Sequence, residues 1–358
     1  MKVEAKTIAP CQHRLSVSLP PETVAGAYDD VYRDIGREAV IPGFRKGKAP
    51  RDLLQQHHAQ AAREEVLKRL IGDGLDRAAR ERKLRLTGEC RIADVQLDER
   101  AGLRFTAEVE VEPEVPLGAY KGLALRRPSA EVGDGDVAQA LAALQEHRAE
   151  LAPTGAGEEK TKQVPVLDDA FAKDVGFPTL EALRQRLRHD LETQRRTESR
   201  QVVEQHLYDA LLLQSQFDVP PSLVAHQVER LRRNVAMRLL VNGVAEEQVK
   251  QEIAKLDQDL ATNAQRQVKI RFILDRIAEA ERLSVTREEL VGQLWTIAQR
   301  SRQDPGALRK RLDAQGGWEA LAAEVRYEKT MDFLLREAKI EDAPAAVASS
   351  GAAATPAA

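Results

Sequence analysis

The sequence predicts an α+β protein that is mostly α: a small N-terminal α+β head followed by an elongated, all-helical C-terminal body. Three observations carry this reading. Polar–apolar alternation, the mark of half-buried strands, is confined to the first 112 residues. From residue 165 to 340, apolar residues recur at the three- and four-residue spacing of helices. The composition is 31% charged and only 4% aromatic, which suits long solvated helices with narrow apolar stripes better than one large core. At 358 residues the chain fits two or three domains.

Strand patterns open the head, with Val3, Ala5 and Thr7, then Leu15, Val17 and Leu19. A helix is expected from Pro20-Pro21 to about Arg37. A second should start near Pro50, where a proline suits the first turn, and run to about Lys83 with a break or kink at Gly72 and Gly74. Two strands close the head. In the second, Leu103, Phe105, Ala107, Val109 and Val111 alternate strictly with polar residues, so one sheet face should pack on the helices. Residues 113–133, with Pro113, Pro116 and Pro128, read as an extended linker.

The body is expected over 134–152 and 164–340, interrupted by the short polar bridge 153–163. Asp134 or Asp136 should cap the first helix and Thr179 a later one. Leu223, Gln227, Leu231, Val235 and Leu239 share one side of a helix that Asn242-Gly243 should end. A single long helix is expected from about Ala245 to Arg282. Thr286 and Glu289 form a capping-box pattern, Asp304-Pro305 starts another helix, and the last follows Gly316-Gly317 to near Ile340. The tail 341–358 has one bulky apolar residue and should be disordered.

Several chemistries are unsupported. No apolar run approaches the roughly 18–20 residues of a membrane span. The N-terminus lacks the apolar core of a secretory signal, so a cytoplasmic location is expected. Neither G-x-S-x-G nor H-E-x-x-H occurs, and His57 and His58 are adjacent rather than one turn apart. Cys11 and Cys90 form no C-x-x-C pair and read as small buried apolar residues. GFRKGKA at 43–49 has three residues between its glycines where a phosphate loop has four, and Ala49 stands at the magnesium-binding Ser/Thr position. No catalytic residue, metal or cofactor is expected.

The informative segment is Pro42-Gly43-Phe44-Arg45-Lys46-Gly47-Lys48-Ala49-Pro50. Glycines and prolines restrict its backbone to a defined turn. Phe44, Arg45, Lys46 and Lys48 are displayed together, which suits docking: cations on carboxylates or phosphates, a phenyl ring in an apolar pocket. Residues 41–85 hold 12 basic and 6 acidic residues in a chain of net charge −3, an excess that would steer this region toward a negative surface such as RNA.

In the frame GFRKGKAP, between two helices of an α+β unit, this loop resembles the signature of the bacterial trigger factor family. PVLDDAFAKDVG at 165–176, FDVPPSLVAHQVERLRRN at 217–234 and the Asp304-Pro305 helix start resemble its C-terminal region, so the likeness covers about 1–152 and 164–340. The resemblance implies a ribosome-binding head at 1–112, with Gly43, Phe44, Arg45, Lys46, Gly47 and Lys48 docking on protein and rRNA of the large subunit near the exit tunnel. It implies a helical cradle with arms that binds nascent and unfolded polypeptides without ATP. Candidate client contacts are Leu231, Val235, Leu239, Trp295, Leu308 and Leu312. A homodimer of the free protein is compatible with apolar arms, and no membrane partner is implied.

The chain departs from the family at one place. An FKBP-like prolyl isomerase domain usually stands where this sequence has only PTGAGEEKTKQ, so isomerase activity is expected to be absent. The competing readings are a ribosome-free holdase or assembly chaperone of the same fold, a residual isomerase, and a structural partner that binds no client.

Overall fold

A computed structural model describes residues 1–39, 44, 50–98, 100–148, 150–153, 160–163 and 165–343. In chain order the elements are β1 (Lys2–Ala9), β2 (Gln12–Leu19), α1 (Pro21–Glu38), α2 (Arg51–Arg82), β3 (Leu86–Asp98), β4 (Gly102–Val111), β5 (Ala124–Arg127) and α3 (Asp134–His147). Then follow β6 (Glu150–Pro153), β7 (Lys160–Gln163), α4 (Asp169–Asp174), α5 (Leu180–Gln214), α6 (Pro221–Val241), α7 (Glu246–Lys255) and α8 (Asp257–Ala280). The chain closes with α9 (Arg287–Arg300), α10 (Pro305–Gln315), α11 (Trp318–Glu337) and β8 (Lys339–Asp342). These elements form two units, one of residues 1–117 and 215–282, the other of 118–214 and 283 onward.

In the first unit the antiparallel sheet has the order β1-β2-β4-β3. Alternation decides its buried face. Leu15, Val17 and Leu19 of β2 and Leu103, Phe105, Ala107, Val109 and Val111 of β4 pack with Val24 and Val31 of α1 and Val66, Leu70 and Ala78 of α2. The edge strands follow the pattern less well. Only Val3 of β1 is buried, while Ala5 and Thr7 are exposed. β3 carries two register shifts and exposes Ile92 and Val95, as bulged edges do. Helix α2 runs through both glycines without a break. Its irregular residue is His58 (φ −126°, ψ 19°). Gly74 makes room instead: a Cβ there would lie 3.2 Å from the Phe105 ring. The cysteines are not buried. Cys11, at φ 58°, occupies the β1–β2 turn, and Cys90 is exposed on β3.

Helices α6, α7 and α8 belong to this first unit. The expected single helix from 245 is two, divided at Leu256, whose N–H bonds the Ile253 carbonyl three residues back. The Arg232 guanidinium grips the Asp257 carboxylate with two bonds, at 3.0 and 2.9 Å, fixing α6 to the start of α8. The N-terminus of α6 is held by a residue of the sheet. Buried Glu110 of β4 accepts the Ser222 N–H at 3.2 Å and the Ser222 hydroxyl, and the Ser222 oxygen accepts the Glu89 N–H at 3.2 Å. A carboxylate at a helix N-terminus satisfies free N–H donors and opposes the helix dipole. Gly88 (φ +68°) belongs to the same arrangement, because a Cβ there would come within 2.2 Å of Glu110 Oε2.

The second unit is helical with two small strand pairs, so the segment after residue 112 is not all-helical. β5 and β8 pair in parallel. β5 lies inside the expected linker, α11 stops at Glu337, and β8 continues through Asp342, past the expected start of the tail. Neither strand announces itself: Lys339–Asp342 has one apolar residue, and its state depends on a partner more than 200 residues away. β6 and β7 form an antiparallel pair, with β7 wholly inside the expected bridge. Val137 and Leu141 of α3, Phe171 and Ala172 of α4 and Leu183 of α5 form one core. Tyr208 of α5 and Tyr327 of α11 share an O–H···O bond of 2.7 Å. Burial and this bond push the Tyr208 phenol well above its usual range.

The later caps follow the sequence: Thr179 accepts the Ala182 N–H at 3.2 Å and Asp304 the Ala307 N–H at 2.7 Å. In α3 neither aspartate is the cap residue; Gly133 is, and Asp136, at the third helical position, reaches back to accept its N–H at 2.9 Å. Thr286 and Glu289 complete a reciprocal box, and Lys329 beside Glu289 holds that carboxyl below the usual range. Gly243 takes φ +81° just past α6.

Glu110→Ala strands two buried donors of Ser222, so it should lower the urea unfolding free energy by about 1–3 kcal/mol. Hydrogen exchange should rise first at 222–224. A change below about 0.5 kcal/mol, the range of ordinary surface substitutions, would show that α6 is held by other contacts.

Candidate functional site

Helix α1 ends with Ala39 donating to the Ile35 carbonyl, and α2 begins after Pro50. Between them lies the loop that the sequence singled out. Phe44 is 41% exposed, so its ring is not drawn into the core beneath the helices. Gly43, Arg45, Lys46, Gly47 and Lys48 lie outside the described residues. The local cationic excess is partly engaged within the unit. Arg51 pairs with Asp29 and lies 5.7 Å from the centre of the Tyr32 ring. Arg69 pairs with Asp34 at 3.0 Å, and Arg85 with Glu112 at 3.2 Å and Glu279 at 2.8 Å. All these acids lie outside residues 41–85, so the charge available to a partner is smaller than the sequence count. The Arg85 hydrogen bond holds the Glu279 carboxyl below the usual range.

The helical candidates separate by burial. On α6, Leu231, Val235 and Leu239 are half-buried, on the stripe whose Gln227 bonds Gln267 of α8. The neighbouring face is the open one. Met237 is 64% exposed, Val241 78% and Leu240 is also exposed. Sequence reasoning missed this trio, although its i, i+3, i+4 spacing was a legible signal. In the second unit, Leu308 is a core residue with Leu294, Ala298 and Leu321, and Leu312 packs against that core. Trp295 of α9 is 55% exposed, with exposed Val291 one turn before it.

Among the described residues no three His, Cys, Asp or Glu gather as a metal site. The Cys11 thiol donates to the Asp218 carbonyl at 3.2 Å. Partial burial, with Asp218 and Glu110 nearby, raises its pKa, the opposite of an activated nucleophile. Among the described residues no helix is long and apolar enough to cross a membrane.

The class these features define is a binding protein: an α+β sheet unit and helices that display large apolar side chains in small groups among charges. The models for the bacterial trigger factor protein and for its C-terminus match residues 1–144 and 179–336. The chain belongs to the trigger factor family, a family of molecular chaperones. It is 26% identical to the trigger factor of Anaeromyxobacter sp. (strain Fw109-5), over 96% of this chain and all of that one. It is 26% identical to that of Koribacter versatilis (strain Ellin345), over 92% and 95% of the two chains. A solved trigger factor chaperone, described for promiscuous substrate recognition in folding and assembly, shares the fold. Its TM-score is 0.50 at 19% identity, over 94% of this chain and 100% of that one. The Anaeromyxobacter alignment spans 430 positions against 358 residues here, so it holds dozens of positions without a counterpart in this chain. The two family models leave only 145–178 between them, less than the roughly 50 residues of a small domain.

Replacing Met237, Leu240 and Val241 together by Ser should leave the melting temperature unchanged within the spread of surface substitutions and lower bis-ANS fluorescence. Unaltered fluorescence would place the apolar dye-binding surface elsewhere.

Proposed function

We propose that this protein is an ATP-independent cytoplasmic chaperone that docks at the ribosome exit site through the loop around Phe44 and shelters nascent or unfolded polypeptides on apolar patches of its helices. The carrying observation is the exposure of Phe44 beside three cations in a loop closed by prolines. The exposed part of the Phe44 ring gains nothing from its own domain, whereas an apolar pocket on a partner would cover it. Gly43, Arg45, Lys46, Gly47 and Lys48 are assigned to the same contact, with the cations facing rRNA or acidic ribosomal protein.

Client contacts are assigned to Trp295, with Val291, and to the Met237, Leu240 and Val241 face. Half-buried Leu231, Val235, Leu239 and Leu312 lie beside such surfaces. Dispersed patches hold a chain by many weak contacts and release it as folding withdraws its apolar groups, so no nucleotide is needed. In this reading residues 1–112 are the ribosome-binding head, 113–133 the linker and the remaining helices the chaperone body.

Replacing Phe44, Arg45 and Lys46 by Ala should abolish cosedimentation with ribosomes while helical circular dichroism stays intact. Retained cosedimentation would sink the loop's role. Suppression of client aggregation by a protein that never sediments with ribosomes would favour the free holdase.

The protein is also inferred not to be a prolyl isomerase, since 145–178 has no room for the family's catalytic domain. A protease-coupled assay on an Xaa-Pro peptide should give the uncatalysed rate, and any clear acceleration would refute this.

A further inference from the structure

Strand β8 is paired on one side only. Leu125 pairs with Ile340 and Arg127 with Asp342 in the parallel register. The Lys339 N–H bonds the Leu123 carbonyl at 2.9 Å and the Ala343 N–H the Arg127 carbonyl at 2.8 Å. Odd-numbered residues of β8 therefore face β5, and the N–H and C=O of Ile340 and Asp342 point the other way. β5 obeys the same alternation, but its outer side is closed by α5. The His206 ring nitrogen lies 3.1 Å from the Arg126 carbonyl, and the Ser199 hydroxyl donates to the Pro128 carbonyl at 2.7 Å. Nothing equivalent covers β8: among the described residues no group bonds the backbone of Ile340 or Asp342.

A groove of about 1740 Å³ reaches this strand, and Val203 of α5, Leu335 and Arg336 of α11, and Ile340 and Asp342 of β8 line it. That volume exceeds the roughly 300–1,000 Å³ of small-molecule pockets and suits a stretch of polypeptide. Its charges are largely self-matched. Arg127 pairs with Asp342 at 2.6 Å, Arg195 with Asp136 at 2.6 Å and Arg200 with Asp332 at 3.2 Å. Glu131 stands beside Arg195, whose guanidinium donates to its carbonyl. Among the described residues, two of its cations are left over. Arg336 reaches only the Asp332 carbonyl, at 3.1 Å, and Arg196 meets Glu192 at no closer than 3.9 Å.

We propose that the free edge of β8 is a strand-addition site for an extended client segment. The segment would pair with Ile340 and Asp342, lay apolar side chains over half-buried Leu335 and Ile340, and present a carboxylate to Arg336 or Arg196. Main-chain bonds give such a site affinity for any extended chain, and the groove supplies a preference for acidic–apolar ones. The inference rests on the reading of the protein as a chaperone for unfolded polypeptides and names one place where they are held.

The test uses the full-length protein and fluorescence anisotropy of a labelled peptide of alternating Val and Thr with one Glu. Ile340→Pro removes only an outward N–H, because the ladder donors are Lys339, Glu341 and Ala343. It should weaken binding about tenfold, the worth of a hydrogen bond or two. N-methylating the peptide backbone should have a similar effect. Arg196→Glu with Arg336→Glu should weaken the Glu peptide and strengthen the same peptide carrying Lys, an inversion that misfolding would not produce. Unchanged affinities in both variants, or no binding by the unsubstituted protein, overturn the site. Binding that appears only after removal of 344–358 overturns it as well, because the occupant is then the chain's own tail. Aggregation suppression is measured in parallel. If it persists while peptide binding ignores the variants, the site fails and the chaperone reading stands. If it is absent while the peptide results hold, the chaperone reading fails and the site stands.

Discussion

The attachment of α6 to the sheet rests on one buried carboxylate. Glu110 belongs to the outward-facing parity of β4, where neighbours such as Arg104 and Glu108 are solvated, yet it is buried because α6 begins against it. The helix brings unpaired N–H donors and the positive end of its dipole, and the carboxylate meets both. The geometry extends to Gly88, which can carry no side chain, and to the Ser222 hydroxyl, which links β3, β4 and α6. Residues 215–282 also meet the head through the Cys11 thiol on the Asp218 carbonyl and through exposed ion pairs such as Arg85–Glu279, which contribute little.

The helices show how a chaperone keeps apolar surface in water. Met237, Leu240 and Val241 stand on a helix whose other exposed residues include Arg233 and Arg238. Trp295 stands beside a small core that stays closed, since Leu308 and Leu294 are buried. Each patch is small, and small patches separated by charge resist self-association better than one continuous surface. The open edge of β8 adds a contact of another kind, directional and indifferent to side-chain identity along its backbone.

Much of this was legible in the residues. Strict alternation in β4 gave its buried face because a strand shows every second side chain to the same layer. Caps at Thr179, Thr286 and Asp304 were readable because they involve residues three apart in sequence. Phe44 among cations read as a docking tip because no core requires such a cluster. Edge strands read poorly: Ala5 and Thr7 follow the alternation but have nothing to pack against. Leu308 and Met237 were also indistinguishable by pattern, because both sit on amphipathic helices and only a neighbouring helix decides which is covered.

By itself the sequence determined most of the helices, the starts capped by Thr179, Thr286 and Asp304, the inner face of the sheet and the family, all of which depend on local spacing or on motifs; it missed the division at Leu256 and the early ends of α3 and α11. Only the tertiary structure decided that α6 to α8 belong with the sheet, that Glu110 is buried, and that Lys339–Asp342 is a strand with one free edge. Each of these is a contact between residues far apart along the chain, and the energy of such a contact lies in the pair, not in either residue alone.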